Sequence, residues 1–418
     1  MSPRKRILMV AFDYPPSLTS SGVQRTLKFS QYLPEYGWHP TILTAHPRAY
    51  TRADPGQLGE IPKEVKVIRA FALDSARHLS IAGRYLDFTA LPDRWVSWIL
   101  PAVMNGLSTI RADRPDVIYS TFPIASAHVI AYVLHRMTDI PWVADFRDPM
   151  IQRNHPNNPR IRRLYEAIEK KVFQYSAMTL VTTPGARNRY LDKYRALRSA
   201  DIHVVPNGYD EAIFRDVEDT LTDSETTTDS EIRVIHNGTL YPDIRDPRHF
   251  FHALSILRDS PPLTTINLRV IFRAPGHDAY IRQLCSEFGI EDLIEIAPLV
   301  SHTESIREIL SADGLLLLQS ESNDAQIPAK AYEFLRTGNP ILTLAGLNGD
   351  TAALMRKVKN SFVADISDVD MIANTLNDFL LFVQASPRQL ADKAVVRAYA
   401  RRSITATLAD ILYNASKH

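Results

Sequence analysis

The stretch ILMVAFDYPPSLTSSGVQRTLKFSQYL, residues 7–33, runs through three local patterns in succession. Ile7 to Phe12 is an unbroken apolar run of strand length, as expected of a strand buried on both faces. Asp13-Tyr14-Pro15-Pro16 ends it, because proline cannot donate to a sheet ladder. After Ser20-Ser21-Gly22, the apolar residues of Val23 to Leu33 recur at helical spacing. A strand, a loop ending in glycine and a helix N-terminus direct unpaired amides and the helix dipole at an anion. Gly22 lets a phosphate or sugar approach the backbone with no Cβ in the way. The spaced glycines of a dinucleotide site and the Gly-Lys-Ser/Thr of a P-loop are absent, so the loop alone names no ligand.

The alternation continues outward from this stretch. Strands are predicted at Thr41–Thr44, Val65–Arg69, Val117–Ser120, Trp142–Ala144 and Thr179–Thr182, with helical segments between most of them. Pro206-Asn207-Gly208 is a turn signal, and Arg215 to Glu231 is too rich in Asp, Glu, Thr and Ser to bury a core. Then the pattern restarts, with strands at Arg233–His236, Leu268–Phe272, Leu293–Ile296, Leu315–Leu318, Ile341–Leu344 and Phe362–Ala364. Helical periodicity runs from Asp368 almost to the end. The expectation is an α/β chain of two doubly wound domains facing across a cleft, with ligands outside the carboxyl ends of the strands. The boundaries read as 1–210, an acidic linker or surface insertion at 211–231, a second domain at 232–385, and C-terminal helices at 386–418 packing back on the first domain.

Composition narrows the function. The chain has 418 residues, 45% hydrophobic and 23% charged, which is globular rather than disordered or fibrous. No apolar run approaches the roughly 20 residues of a membrane span, and the N-terminus lacks a signal-peptide pattern. A single cysteine, Cys285, excludes an internal disulfide and a cysteine-built metal centre, so a cytoplasmic protein is expected. Net charge is +1, which gives no sign of nucleic acid as a partner. The distribution is uneven: residues 1–210 hold 28 Lys and Arg against 18 Asp and Glu, and the remainder 20 against 29. A basic half suits phosphates and an anionic membrane surface. Within it, Pro159–Lys171, with Arg160, Arg162, Arg163, Lys170 and Lys171, is the main candidate for peripheral membrane contact, against a merely solvated face.

Six stretches, in order, carry a resemblance. They are Val10 to Leu33 with Gly37-Trp38-His39; Tyr119-Ser120-Thr121-Phe122-Pro123; Pro141 to Asp148; Val205 to Asp210; Asn237-Gly238-Thr239-Leu240-Tyr241 with Arg245-Asp246-Pro247; and Ile327 to Phe334 with Gly338-Asn339-Pro340-Ile341. Together the chain resembles the family 4 glycosyltransferases of the two-Rossmann (GT-B) architecture, in the branch that builds bacterial surface polysaccharides. The resemblance implies transfer of a sugar from a nucleotide-diphosphate donor, with UDP favoured, to a glycan or polyprenyl-diphosphate-linked acceptor. It also implies retention of configuration and no metal or other cofactor.

It further assigns residues. Glu333 falls where the family binds the donor ribose, and Lys330, one turn earlier, is a candidate for the diphosphate. Gly22 and Ile327 join the donor set. Ser120, Thr121 and Arg25 fall on the acceptor side. Arg147 stands where several relatives keep a His beside the donor sugar, so Arg147 and Asp145 are the catalytic candidates, with a structural ion pair as the alternative. Two positions depart from the family. Its first motif Glu is Ala325 here, leaving Asp324 or backbone amides to serve the sugar. The Arg that commonly follows the glycine of the second domain's first strand is Thr239, which transfers the diphosphate role to Arg245 or Arg248.

Other motifs read as structural. Asp368-Val369-Asp370 looks like a metal-binding pair, but its setting before Met371-Ile372-Ala373 fits a helix cap better. Trp95 and Trp98 fit a packed core better than an interfacial helix. Two rivals to sugar transfer stay open: a nucleotide-sugar 2-epimerase on the same fold, and a silent binding subunit, which Ala325 and Thr239 make conceivable.

Overall fold

The computed structural model describes residues 5–18, 22–80, 83–152, 155–194, 201–221, 231–242, 244–385 and 393–417. Ser20 and Ser21 of the opening loop, residues 222–230 of the acidic stretch and residues 386–392 lie outside them. The chain divides into two compact units, Met1–Pro206 with Arg401–His418, and Asn207–Ala400.

The first unit is a seven-stranded sheet in the order β3-β2-β1-β4-β5-β6-β7. Its strands are β1 Lys5–Val10, β2 Trp38–Ala45, β3 Lys66–Ala70, β4 Val117–Thr121, β5 Trp142–Phe146, β6 Met178–Val181 and β7 Ile202–Val204. Every pairing is parallel, and β1 lies between β2 and β4. Strand order therefore reverses between β1 and β4, which makes their carboxyl ends the place for a ligand. Apolar side chains alternate to both faces: Leu8 and Val10 join one core cluster, Ile7 and Met9 another. The C-terminal helix Arg401–Ala415 seals the second of these, through Ile404, Leu408, Ile411 and Leu412.

The second unit repeats the plan with six parallel strands in the order β10-β9-β8-β11-β12-β13. These are β8 Glu231–Asn237, β9 Asn267–Arg273, β10 Ile294–Ala297, β11 Gly314–Leu318, β12 Ile341–Leu344 and β13 Ser361–Ala364. The reversal falls between β8 and β11. The central strand β11, Gly-Leu-Leu-Leu-Leu, is buried throughout. At its start a Cβ on Gly314 would come within 2.4 Å of Phe379 Cζ. Gly314→Ala is therefore expected to cost about 1–3 kcal/mol by overpacking; an unchanged denaturant midpoint would show that Phe379 moves aside freely.

The acidic stretch reads differently in three dimensions. It opens as the helix Glu211–Glu218, capped by Asp210, with Phe214 and Val217 buried against the second unit's core. Three apolar residues at helical spacing suffice for one amphipathic face, which the overall polarity of the stretch concealed. At the other end, Asp368 Oδ1 accepts the Met371 amide at 2.9 Å, which is a helix cap. Trp98 is buried, and Trp95 packs on Phe12 with ring centroids 4.8 Å apart.

Candidate functional site

In the first unit the site gathers at the switch point. A small hollow is lined by Phe12 and Asp13 beyond β1, by Thr121 to Ile124 at the end of β4, by Arg147 beyond β5, and by Gly22 and Thr26. Three residues chosen from the sequence, Gly22, Thr121 and Arg147, thus meet in one place. Asp13 and Thr26 were missed. Both lie inside the quoted opening stretch, but nothing in their local spacing marks them out. Arg147 Nε stands 3.5 Å from Asp148 Oδ2, and its carbonyl accepts the Thr182 hydroxyl.

Asp145, Arg25 and Ser120 take different parts from those expected. Asp145 is fully buried in β5, and its oxygens receive Arg25 Nε at 2.8 Å, Arg25 Nη2 at 3.0 Å, the Tyr119 hydroxyl at 2.5 Å and the Thr121 hydroxyl at 3.2 Å. Arg25 also donates to the carbonyls of Val205 and Pro206, tying its helix to the end of the sheet. Burial opposes the Arg25 charge, yet Asp145 more than offsets it and holds the guanidinium above its ordinary value. Burial and the neighbouring Asp145 charge likewise push the Tyr119 hydroxyl far up. A carboxylate saturated in this way anchors the fold; it is not a base facing substrate. Ser120 is equally enclosed, 2.7 Å from His128 Nδ1 and accepting the Trp142 indole N–H at 2.8 Å, which removes it from the acceptor side.

In the second unit the candidates cluster beyond β8 and β11. Gly238, at the end of β8, has φ +115°, a conformation side chains rarely adopt. Arg245 is drawn in behind it, where its Nε donates to Gln319 Oε1 at 3.2 Å just past β11. Burial pulls the Arg245 guanidinium below its usual value, and among the described residues no carboxylate pairs with it. Both Arg245 and Lys330 bear electrostatically on the buried ring of His236 in β8, which burial chiefly, with their help, lowers to about 4.

Glu333, on the helix Ala329–Thr337, completes this cluster. Its Oε2 lies 3.1 Å from Lys330 Nζ and its Oε1 3.2 Å from His302 Nε2. Burial alone would raise the carboxyl, but Lys330 and His302 bring it down to about 2. His302 was missed, since its link to Glu333 spans 31 positions and leaves no local trace.

Three other donor candidates lie apart from this clasp. Arg248 is paired with Glu287 at 2.5 Å, both side chains partly exposed. Asp324 sits against the loop at Gly346 and Gly349, where an added Cβ would meet its Oδ1 at 2.6 and 2.9 Å. Its carbonyl accepts the Asp350 amide at 2.8 Å. Ile327 packs against the second unit's core. Among the described residues, no three His, Cys, Asp or Glu side chains come together as a metal site, and no helix is long and apolar enough to cross a membrane.

Two parallel doubly wound units of this order define the GT-B fold, and solved structures agree. Sucrose-phosphate synthase from Thermosynechococcus elongatus matches with TM-score 0.65 and 13% identity over 98% of this chain and 99% of that one. Anabaena HepE, crystallised with UDP and glucose, matches with TM-score 0.67 and 12% identity over 98% and 100%. WaaG, a glycosyltransferase involved in lipopolysaccharide biosynthesis, matches with TM-score 0.58 and 12% identity over 99% and 97%. In sequence, residues 22–208 match the glycosyl transferase 4-like domain. Residues 22–208 thus resemble that family's domain, and the chain as a whole shares the GT-B fold of these solved structures. No curated protein matches the chain in sequence.

Proposed function

We propose that this protein transfers a sugar from a UDP-sugar to a glycan or polyprenyl-diphosphate-linked acceptor during surface polysaccharide synthesis, with retention and without a metal. The observation that carries the donor half is Arg245, a partly buried guanidinium that no carboxylate among the described residues pairs with, in the same unit as Lys330 and the Glu333 clasp. A partly desolvated cation gains from an anion, and a diphosphate would supply charge-assisted hydrogen bonds to it. Glu333, held ionised, would accept the two ribose hydroxyls. UDP is favoured because HepE was crystallised with it; the polysaccharide setting leans on WaaG.

The first unit would supply the acceptor side, with Arg147, Asp13 and Thr121 facing its hollow. With Asp145 committed to Arg25, retention is assigned to front-face attack, in which the departing phosphate takes the acceptor hydroxyl's proton. Diphosphate charge would be balanced by Arg245 and Lys330. The protein would work in the cytoplasm, with its basic unit against the inner leaflet.

Thermal melting with UDP, GDP, ADP and CMP tests the donor reading. A hundredfold excess over Kd should stabilise by about 2.7 kcal/mol, and UDP should give the largest response. No response to any of them would favour a silent binding subunit; UDP binding with sugar isomerised or released to water would favour the epimerase. Transferase activity should also survive excess chelator within about twofold, since guanidinium and ammonium groups balance the leaving charge. Loss restored by magnesium or manganese would remove metal independence.

A further inference from the structure

The first unit has a second hollow, which shares no lining residue with the one around Arg147. It lies between the helices Ala125–Thr138 and Pro159–Tyr175 and is open to solvent on one side. Val129, Tyr132, Leu164, Ile168 and Val172 form its walls, and the buried Trp142, first residue of β5, its base. His128 adds no charge at the inner wall: burial lowers it to about 4, and Ser120 occupies its Nδ1. An apolar group that filled this groove would be favoured, because it would leave water for an apolar lining.

The mouth is cationic. Lys171 lines it, with Nζ over the rings of Tyr175 at 5.2 Å and Tyr132 at 5.9 Å, and Arg136 stacks on Tyr175 at 5.0 Å. The two carboxylates of the Lys171 helix face elsewhere: Glu169 binds Lys193 and Tyr194, and Glu166 acts on Tyr194. In the same helical layer, Leu100, Met104 and Met137 stand 60–69% exposed. An apolar trough with Lys171 and Arg136 near its rim, and exposed apolar side chains on the neighbouring helices, matches an amphiphile with one negative end.

We propose that this hollow binds the aliphatic chain of a lipid phosphate, with the phosphate held by Lys171 and Arg136. This stands apart from the donor reading, which concerns the second unit alone.

The probe is dodecyl phosphate brominated near its chain end, titrated below its micellar concentration while tryptophan emission is followed. Trp142 is one of four tryptophans, so saturable partial quenching is expected, and it should vanish in Trp142→Phe while calorimetry still detects binding. Across octyl, decyl and dodecyl phosphate, affinity should rise roughly fourfold per added methylene. Ala167→Phe, which fills the groove, should abolish saturation at an unchanged melting temperature. Lys171→Gln with Arg136→Gln should weaken dodecyl phosphate at least fivefold and leave dodecanol unaffected. If Ala167→Phe does not fold, the chain-length series and the Lys171 variant decide. Absence of saturable quenching, affinity indifferent to chain length, or equal displacement by inorganic phosphate alone would overturn the proposal.

Discussion

Asp145→Ala is expected to destabilise the first unit by about 3–5 kcal/mol, the cost of leaving a buried charge without its partner. Arg25 is 2% exposed and Asp145 not at all, so water cannot replace the lost carboxylate. The hydroxyls of Tyr119 and Thr121 lose their acceptor in the same step. In a unit of this size the melting temperature should fall by roughly 6–20 °C, read as the first-unit transition in calorimetry. Arg25→Met combined with Asp145→Leu should recover most of the loss, because removing both charges also removes their desolvation cost. A single variant as stable as the parent would return Asp145 to the catalytic candidates.

Glu333→Ala should weaken UDP binding on the order of a hundredfold or more. Two hydrogen bonds from the ribose to a charged group are worth about 1.5–3 kcal/mol each, and calorimetry reads the change directly. Unchanged affinity would take Glu333 out of the ribose site. The same carboxylate links to acid stability. Its folded value of about 2 lies below the ordinary 4.5, so its contribution is full above pH 4.5 and fades as pH falls towards 2. Glu333→Gln should flatten that part of the stability profile. A curve identical to the parent's would mean that the Lys330 and His302 contacts have no such effect.

Much of this was open to sequence reading because it depends on near neighbours. Ile341–Leu344 is a strand over the expected residues, its Ile-Leu-Thr-Leu run being buried throughout under two covering layers. The Asp368 cap follows from a side chain reaching its own backbone. Reading failed where the partner is far along the chain. β5 was expected at Trp142–Ala144, and a carboxylate does not sit in a doubly covered strand alone. It continues through Asp145 and Phe146 because Arg25, 120 positions earlier, neutralises it. β7, three residues long, has too little pattern of its own and exists by pairing with β6.

The sequence by itself therefore determined the alternation of strands and helices, the two-unit plan and the motif order that carries the resemblance. Each of these is written in spacing over a few residues, where local dihedral preference and burial periodicity act. Only the tertiary structure decided that Arg25 belongs to Asp145, that His302 and Lys330 hold Glu333, that Arg248 turns to Glu287, and that Asp13 shares a hollow with Arg147. Those pairings arise when parallel strands bring distant loops to one sheet edge, and charge and hydrogen-bond complementarity then selects among the groups that meet there.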